Sequence, residues 1–104
     1  MIYFIGQGDD YVKIGYTKGS VAHRLTSIQT GNPHELKLLL TLEGGRKIEY
    51  GYHSTFAPYH VRGEWYHLSK EIAAFIKQWS GDKREVSSFI TDNYNKLELL
   101  RARR

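Results

Sequence analysis

Residues 1–17 read MIYFIGQGDDYVKIGYT, two alternating runs on either side of a turn. In the first run Ile2, Phe4 and Gly6 fall on one face, and Tyr3 and Ile5 on the other. In the second, Val12, Ile14 and Tyr16 oppose Lys13, Gly15 and Thr17. A period of two marks extended chain, because successive side chains of a strand leave on opposite faces. Gly8-Asp9-Asp10 supplies the turn, so the segment is predicted to be an antiparallel hairpin. A register that sets Tyr3 opposite Gly15 places Lys13 diagonally nearby on the same face.

Beyond the hairpin, Ser20 is an N-cap residue for a helix running to about Thr30. Val21, Leu25 and Ile28 share one stripe of it, with Arg24 beside that stripe, and Gly31 followed by Asn32-Pro33 ends it. Leu36, Leu38, Leu40 and Leu42 alternate across residues 35–43, which predicts a third strand. Gly44-Gly45 breaks the chain before a second helix, roughly 46–56. Ile48, Tyr52 and Phe56 line one face of this helix, while Glu49 and His53 lie one turn apart on an adjacent face. Arg62-Gly63-Glu64-Trp65-Tyr66 reads as a turn into a short strand. Ser69 caps a third helix whose Ile72, Phe75, Ile76 and Trp79 mark a core-facing stripe. Gly81 precedes a last amphipathic helix carrying Val86, Ile90, Leu97 and Leu100. The expected fold class is α/β in the α+β sense, a small, mainly antiparallel three-stranded sheet flanked by helices. Residues 1–80 are expected to form the main unit, and residues 81–104 a helical extension packed on it.

The chain has 104 residues, of which 40% are hydrophobic and 25% charged, so it reads as one globular domain with a modest core. It contains no cysteine, which excludes disulfide frameworks, thiolate nucleophiles and cysteine-based zinc sites. The apolar run MIYFIG is too short for a signal-peptide core, and no stretch approaches bilayer length. A soluble, cytoplasmic protein is expected. The formal charge is +4 and the sequence pI about 9.4, which favours a polyanionic partner through phosphate contacts.

An apolar-Tyr pair at Ile2-Tyr3, Lys13-Ile14-Gly15 ten residues on, then Arg24, then Glu49, resembles the signature of the GIY-YIG nucleases. The runs Lys13-Ile14-Gly15-Tyr16-Thr17, Arg24-Leu25, Gln29-Thr30-Gly31-Asn32-Pro33 and Arg62-Gly63-Glu64-Trp65 resemble one branch of that family. The branch holds small phage and bacterial proteins built around a lone nuclease domain. The resemblance runs from about residue 1 to 76 and rests on the ordered set rather than on any one tripeptide. It implies that residues 1–80 are a nuclease domain hydrolysing DNA phosphodiesters with a single Mg²⁺, for which Mn²⁺ can substitute. The implied partners are DNA and, for double-strand cuts, a second copy in a homodimer; neither a membrane nor a small-molecule cofactor is implied. By the same resemblance the family's tyrosines act around the attacking water, its arginine steadies the transition state and its glutamate holds the metal. Those roles carry over to Tyr3, Arg24 and Glu49. Two positions depart from the pattern. Lys13 stands where most members have a second tyrosine, as it does in some restriction-type members. The asparagine that many members place after the glutamate has no counterpart, since Gly63-Glu64-Trp65 occupies that region. Tyr16 and His53 are candidates for the missing roles.

The same residues suit the chemistry on their own terms. Phosphodiester hydrolysis needs an activated water, a cation near the phosphate oxygens and donors for transition-state charge. Glu49 offers a hard carboxylate oxygen to Mg²⁺, which uses few protein ligands. Arg24 offers a fixed fork of hydrogen bonds to a phosphate oxygen. Tyr3 is a poor base unless a nearby cation lowers its pKa, and Lys13 on the same face is placed to supply that charge. Gly15 is expected to leave room for substrate.

Each residue also has a plainer explanation: a strand-edge tyrosine, a solvated lysine, a surface arginine with its stem on the core, an exposed helix carboxylate. Glu49 and His53 at i, i+4, with His60 and His67 not far on, allow a zinc site that no spacing requires. Lys18-Gly19-Ser20 forms no phosphate loop and reads as a turn. Trp65, Phe75 and Trp79 read as core, and Arg101, Arg103 and Arg104 as a solvated helix end. The alternative reading is a catalytically inactive nucleic-acid-binding module on the same fold, and a third is a protein-interaction domain.

Overall fold

The computed structural model describes residues 1–80; the amphipathic helix expected beyond Gly81 lies outside the described residues. Strands β1 (Ile2–Gln7) and β2 (Tyr11–Tyr16) form the hairpin, with Tyr3 opposite Gly15 and Ile5 opposite Lys13. Gly8 turns the chain at φ 58, the left-handed region that glycine enters without a Cβ clash. Helix α1 (Val21–Thr30) follows, its first turn closed by the Ser20 hydroxyl accepting the His23 N–H at 3.1 Å. Strand β3 (Leu36–Leu42) returns antiparallel along the outer edge of β1. Then come α2 (Arg46–Thr55), a 3-10 turn at Ala57–Tyr59, strands β4 (His60–Arg62) and β5 (Trp65–His67), and α3 (Lys70–Trp79).

The sheet has five strands in the order β3-β1-β2-β5-β4, every neighbouring pair antiparallel, where three strands were expected. The two additional strands are three residues each. At that length no alternation can develop, and only Tyr66 of the two strands is buried. Gly63, at φ 55, makes the turn between them.

The two faces of the sheet bury different sets. Ile2, Phe4, Val12, Ile14, Leu39 and Leu40 pack with Phe56, Leu68 and the α3 residues Ile72, Ala73 and Ile76. Tyr3, Ile5 and Leu36 pack under Val21, Leu25 and Ile28 of α1, with Trp65 alongside. Three elements depart from the expected patterns. A β-bulge between Phe4 and Ile5 in the β1–β3 pairing puts Leu39 and Leu40 both into the core and leaves Leu38 exposed. Gly6 permits this, since a Cβ there would lie 2.9 Å from Leu39 Cδ1. Phe56, the residue that ends α2, is buried, but Ile48 in its first turn is exposed. Trp79, expected in the core stripe of α3, is 55% exposed at the end of that helix.

β5 pairs β2 only over Tyr11, Val12 and Lys13, which leaves the next backbone groups of β2 without a ladder partner on that side. The Ile14 N–H donates to the Glu64 carbonyl at 3.0 Å, and the Ile14 carbonyl faces His53 Nε2 at 3.1 Å. The start of β5 and the last turn of α2 are thereby tied to the same residue of β2.

Candidate active site

Four elements meet at that junction. Tyr3 comes from β1 and Lys13 from β2, on the sheet face beneath α1, while Glu49 and His53 lie one turn apart on α2. Glu64 enters from the β4–β5 turn, placed by Gly63. Donor atoms of Glu49, His53 and Glu64 all lie within 4.8 Å of one another. Lys13 Nζ forms an ion pair with Glu64 at 3.2 Å and sits 5.6 Å from the centroid of the Trp65 ring.

Glu49 is 7% exposed. Burial and the neighbouring Glu64 push its carboxyl above the usual carboxylate range, while His53, Arg46 and Lys13 pull it back. The negative charge of the two neighbouring carboxylates is thus only partly offset by the cations around them.

His53 is held on both nitrogens. Nε2 faces the Ile14 carbonyl at 3.1 Å, which can only accept, so a neutral His53 carries its proton there. Nδ1 then accepts from the Tyr66 hydroxyl in a short hydrogen bond. Glu49 Oε1 lies 3.8 Å from Nε2. In this tautomer neither ring nitrogen has a lone pair free for a metal, so His53 orients, and the carboxylates of Glu49 and Glu64 are the donors of this group that could hold one. Two hard oxygens suit Mg²⁺ or Mn²⁺ better than zinc. His60, hydrogen-bonded through Nε2 to the Gly63 carbonyl at 2.8 Å, and His67 stand outside this donor group.

Tyr3 is 2% exposed, and its ring lies across Gly15. A Cβ at position 15 would come within 2.6 Å of Tyr3 Cε2, so the space expected for substrate is filled by the tyrosine itself. Burial, and then Glu64, raise the Tyr3 pKa above that of an ordinary phenol; Arg24 lowers it and Glu49 raises it. Lys13 is engaged by Glu64 and does not supply the expected lowering. The Tyr3 hydroxyl is therefore harder to ionise than that of a free tyrosine. Arg24 is exposed on α1, near enough for its charge to act on Tyr3. Tyr16 stands apart from this group, at the end of β2 opposite Ile2, with the Arg46 guanidinium 5.6 Å from its ring centroid.

Of the residues expected at the site, the fold gathers Tyr3, Lys13, Arg24, Glu49 and His53 and leaves Tyr16 beside them. Glu64 and Tyr66 were not among the candidates. Their signal was the Gly63-Glu64-Trp65 run at the position of the absent asparagine, a glycine turn delivering a carboxylate to the head of a strand.

A buried Glu49 beside the partly exposed Glu64, with a braced imidazole and a buried tyrosine, sits on a five-stranded α+β domain and makes a donor group that could hold a metal ion. The profile of the T5orf172 domain matches residues 1–91, and the chain belongs to that family. It is a phage-associated domain often linked to a nuclease-like, GIY-YIG-like fold. No curated protein and no solved structure matches the chain. Among the described residues no helix is long and apolar enough to cross a membrane.

Proposed function

We propose that this protein is a GIY-YIG-type endonuclease that hydrolyses DNA phosphodiester bonds with one divalent cation. The observation that carries the reading is the convergence of Glu49 and Glu64 beside Tyr3 and Arg24 in a chain of this family. Glu49 and Glu64 are the residues that would hold Mg²⁺ or Mn²⁺, and the charge raising the Glu49 pKa is what a cation would neutralise. The cation, when bound, supplies Lewis-acid polarisation of a phosphate oxygen and a more acidic water.

The remaining work falls to the chain's own groups. Arg24 donates its guanidinium fork to a non-bridging phosphate oxygen and offsets the charge that grows in the pentavalent transition state. Tyr3 donates its O–H toward the reacting centre and orients the water; its raised pKa excludes it as the base in the cation-free state. His53 is locked by Tyr66 and the Ile14 carbonyl, and keeps the Glu49 side of α2 in register with β2. Lys13 pairs with Glu64, and its ammonium would be available to a phosphate oxygen if Glu64 held the cation.

The deciding assay incubates supercoiled plasmid with the protein and Mg²⁺, alongside Tyr3→Phe and Glu49→Ala. Metal-dependent nicking or linearisation, lost in both variants, is the expected result. Retention of DNA at low salt with no cleavage by any version would instead make the protein a binding module on a nuclease fold.

A further inference from the structure

The surface changes sign next to the carboxylates. A groove between the β2–α1 loop and the start of α2 is lined by Tyr16, Thr17, Lys18, Gly19, Arg24 and Arg46. Among the described residues no carboxylate lies at ion-pair distance from Lys18, Arg24 or Arg46. Three cations thus face one concavity with no carboxylate at ion-pair distance, an arrangement that raises the local concentration of anions.

The groove is built rather than incidental. Thr17 is buried, its carbonyl accepts the Met1 ammonium at 3.0 Å, and its hydroxyl accepts the Gly19 N–H at 3.1 Å. Ser20 closes the loop by capping α1. The segment carrying Lys18 is thereby pinned on both sides, which lowers the ordering cost of binding. Across the groove, Arg46 rests on the Tyr16 ring with its guanidinium 5.6 Å from the centroid, so its N–H fork is positioned without being consumed. Arg24 is common to the groove and to the Tyr3 side of the site, which makes the two continuous.

We infer that this groove is a subsite for a backbone phosphate of the cleaved strand, flanking the scissile phosphate and held by Lys18 and Arg46. The inference rests on the nuclease reading for its choice of a nucleic acid. It also gives a role to Lys18 and Gly19, which the sequence offered only as a turn, and to Tyr16, which the carboxylate cluster leaves aside.

The test is fluorescence anisotropy of a labelled DNA duplex in EDTA, so that binding is read without cleavage. Lys18→Gln and Arg46→Gln are compared with the wild type across a salt series, with Lys77→Gln on α3 as a charge-matched change outside the groove. Lys18 and Arg46 are both exposed, and circular dichroism verifies that the variants fold. Each groove variant is expected to weaken binding about tenfold, the loss of one charge-assisted hydrogen bond. Each should also reduce the slope of log K on log salt by about 0.9, the value for one phosphate contact. Lys77→Gln should stay close to the wild type in both. Wild-type affinity and slope in both groove variants, or losses no larger than for Lys77→Gln, would overturn the subsite and leave the nuclease reading standing if plasmid is cut. The expected losses in a protein that never cuts plasmid would uphold a phosphate site in the groove but remove the nuclease, and with it the assignment to a cleaved strand. No binding of DNA by the wild type at low salt would overturn both.

Discussion

Glu49 is buried with Glu64 as its neighbour, and burial and charge together raise its carboxyl pKa. The folded chain therefore takes up this proton at higher pH than the unfolded chain does. At neutral pH the folded state carries a charge it would hold more easily as an acid, and stability falls as pH rises through the raised value. Glu49→Gln should thus raise the unfolding midpoint at pH 7 in EDTA while reducing cleavage by at least ~100-fold. The gain should fade as pH falls below the raised value, because the wild type then sheds the same charge. Calorimetry at two pH values measures it, and a variant less stable than the wild type at pH 7 would contradict it. Tyr66 makes the opposite case. Its hydroxyl meets His53 Nδ1, so Tyr66→Phe leaves a half-buried acceptor without its donor, at a cost of about 1 kcal/mol. It also releases the His53 tautomer, which should lower cleavage roughly tenfold and show in the imidazole ¹⁵N shifts.

Among the elements, the hairpin carries the most consequence for the site. Tyr3 reaches its position only because Gly15 opposite it has no side chain. Gly15→Ala must swing the ring toward α1 or off its rotamer, at about 1 kcal/mol. Cleavage should drop much further, by about 100-fold, since a displacement of roughly 1 Å in a positioning group has that effect. Single-turnover rates set against thermal midpoints separate the two; equal activity would show that Tyr3 does not act from this position. The hairpin, its register and the caps at Ser20 and Ser69 were legible in the sequence because each has a local cause: alternation, a glycine turn, a hydroxyl three residues before the amide it accepts from. β4 and β5 were not, because three-residue strands are held by what they pair with. The β3 bulge was hidden for the same reason, since it depends on the vacancy that Gly6 leaves on another strand. Glu49, Arg24, Lys13 and Tyr3 were legible as an ordered set. Glu64 was legible only as a carboxylate after a glycine turn, because its own segment does not tell that this turn closes on α2.

On the scale of the whole molecule, the candidate cation site ties together segments far apart in the chain, Glu49 on α2 and Glu64 in the β4–β5 turn, with α2 through His53 and the turn through the Glu64 carbonyl both bonded to Ile14 of β2. An unfolded chain does not hold the two carboxylates together, so a cation that binds them binds the folded state alone. Linkage then requires Mg²⁺ or Mn²⁺ to raise stability by RT ln(1 + [L]/Kd), about 2.7 kcal/mol at a hundred times Kd. For a domain of this size that is a rise in Tm on the order of 10 °C. The rise should shrink as pH falls and Glu49 takes up its proton, because a protonated carboxyl is a poor ligand. Glu64→Gln should shrink it too, and Glu49→Gln should remove most of it. Lys13→Met probes the same site from the other side. With its ammonium gone from Glu64, the cation no longer has to displace an ion pair, and the Mg²⁺ concentration that gives half the rise should fall. Thermal melts across a Mg²⁺ titration read all of these without any DNA present. Equal shifts in the wild type and Glu49→Gln would place the cation elsewhere, whatever the plasmid assay shows.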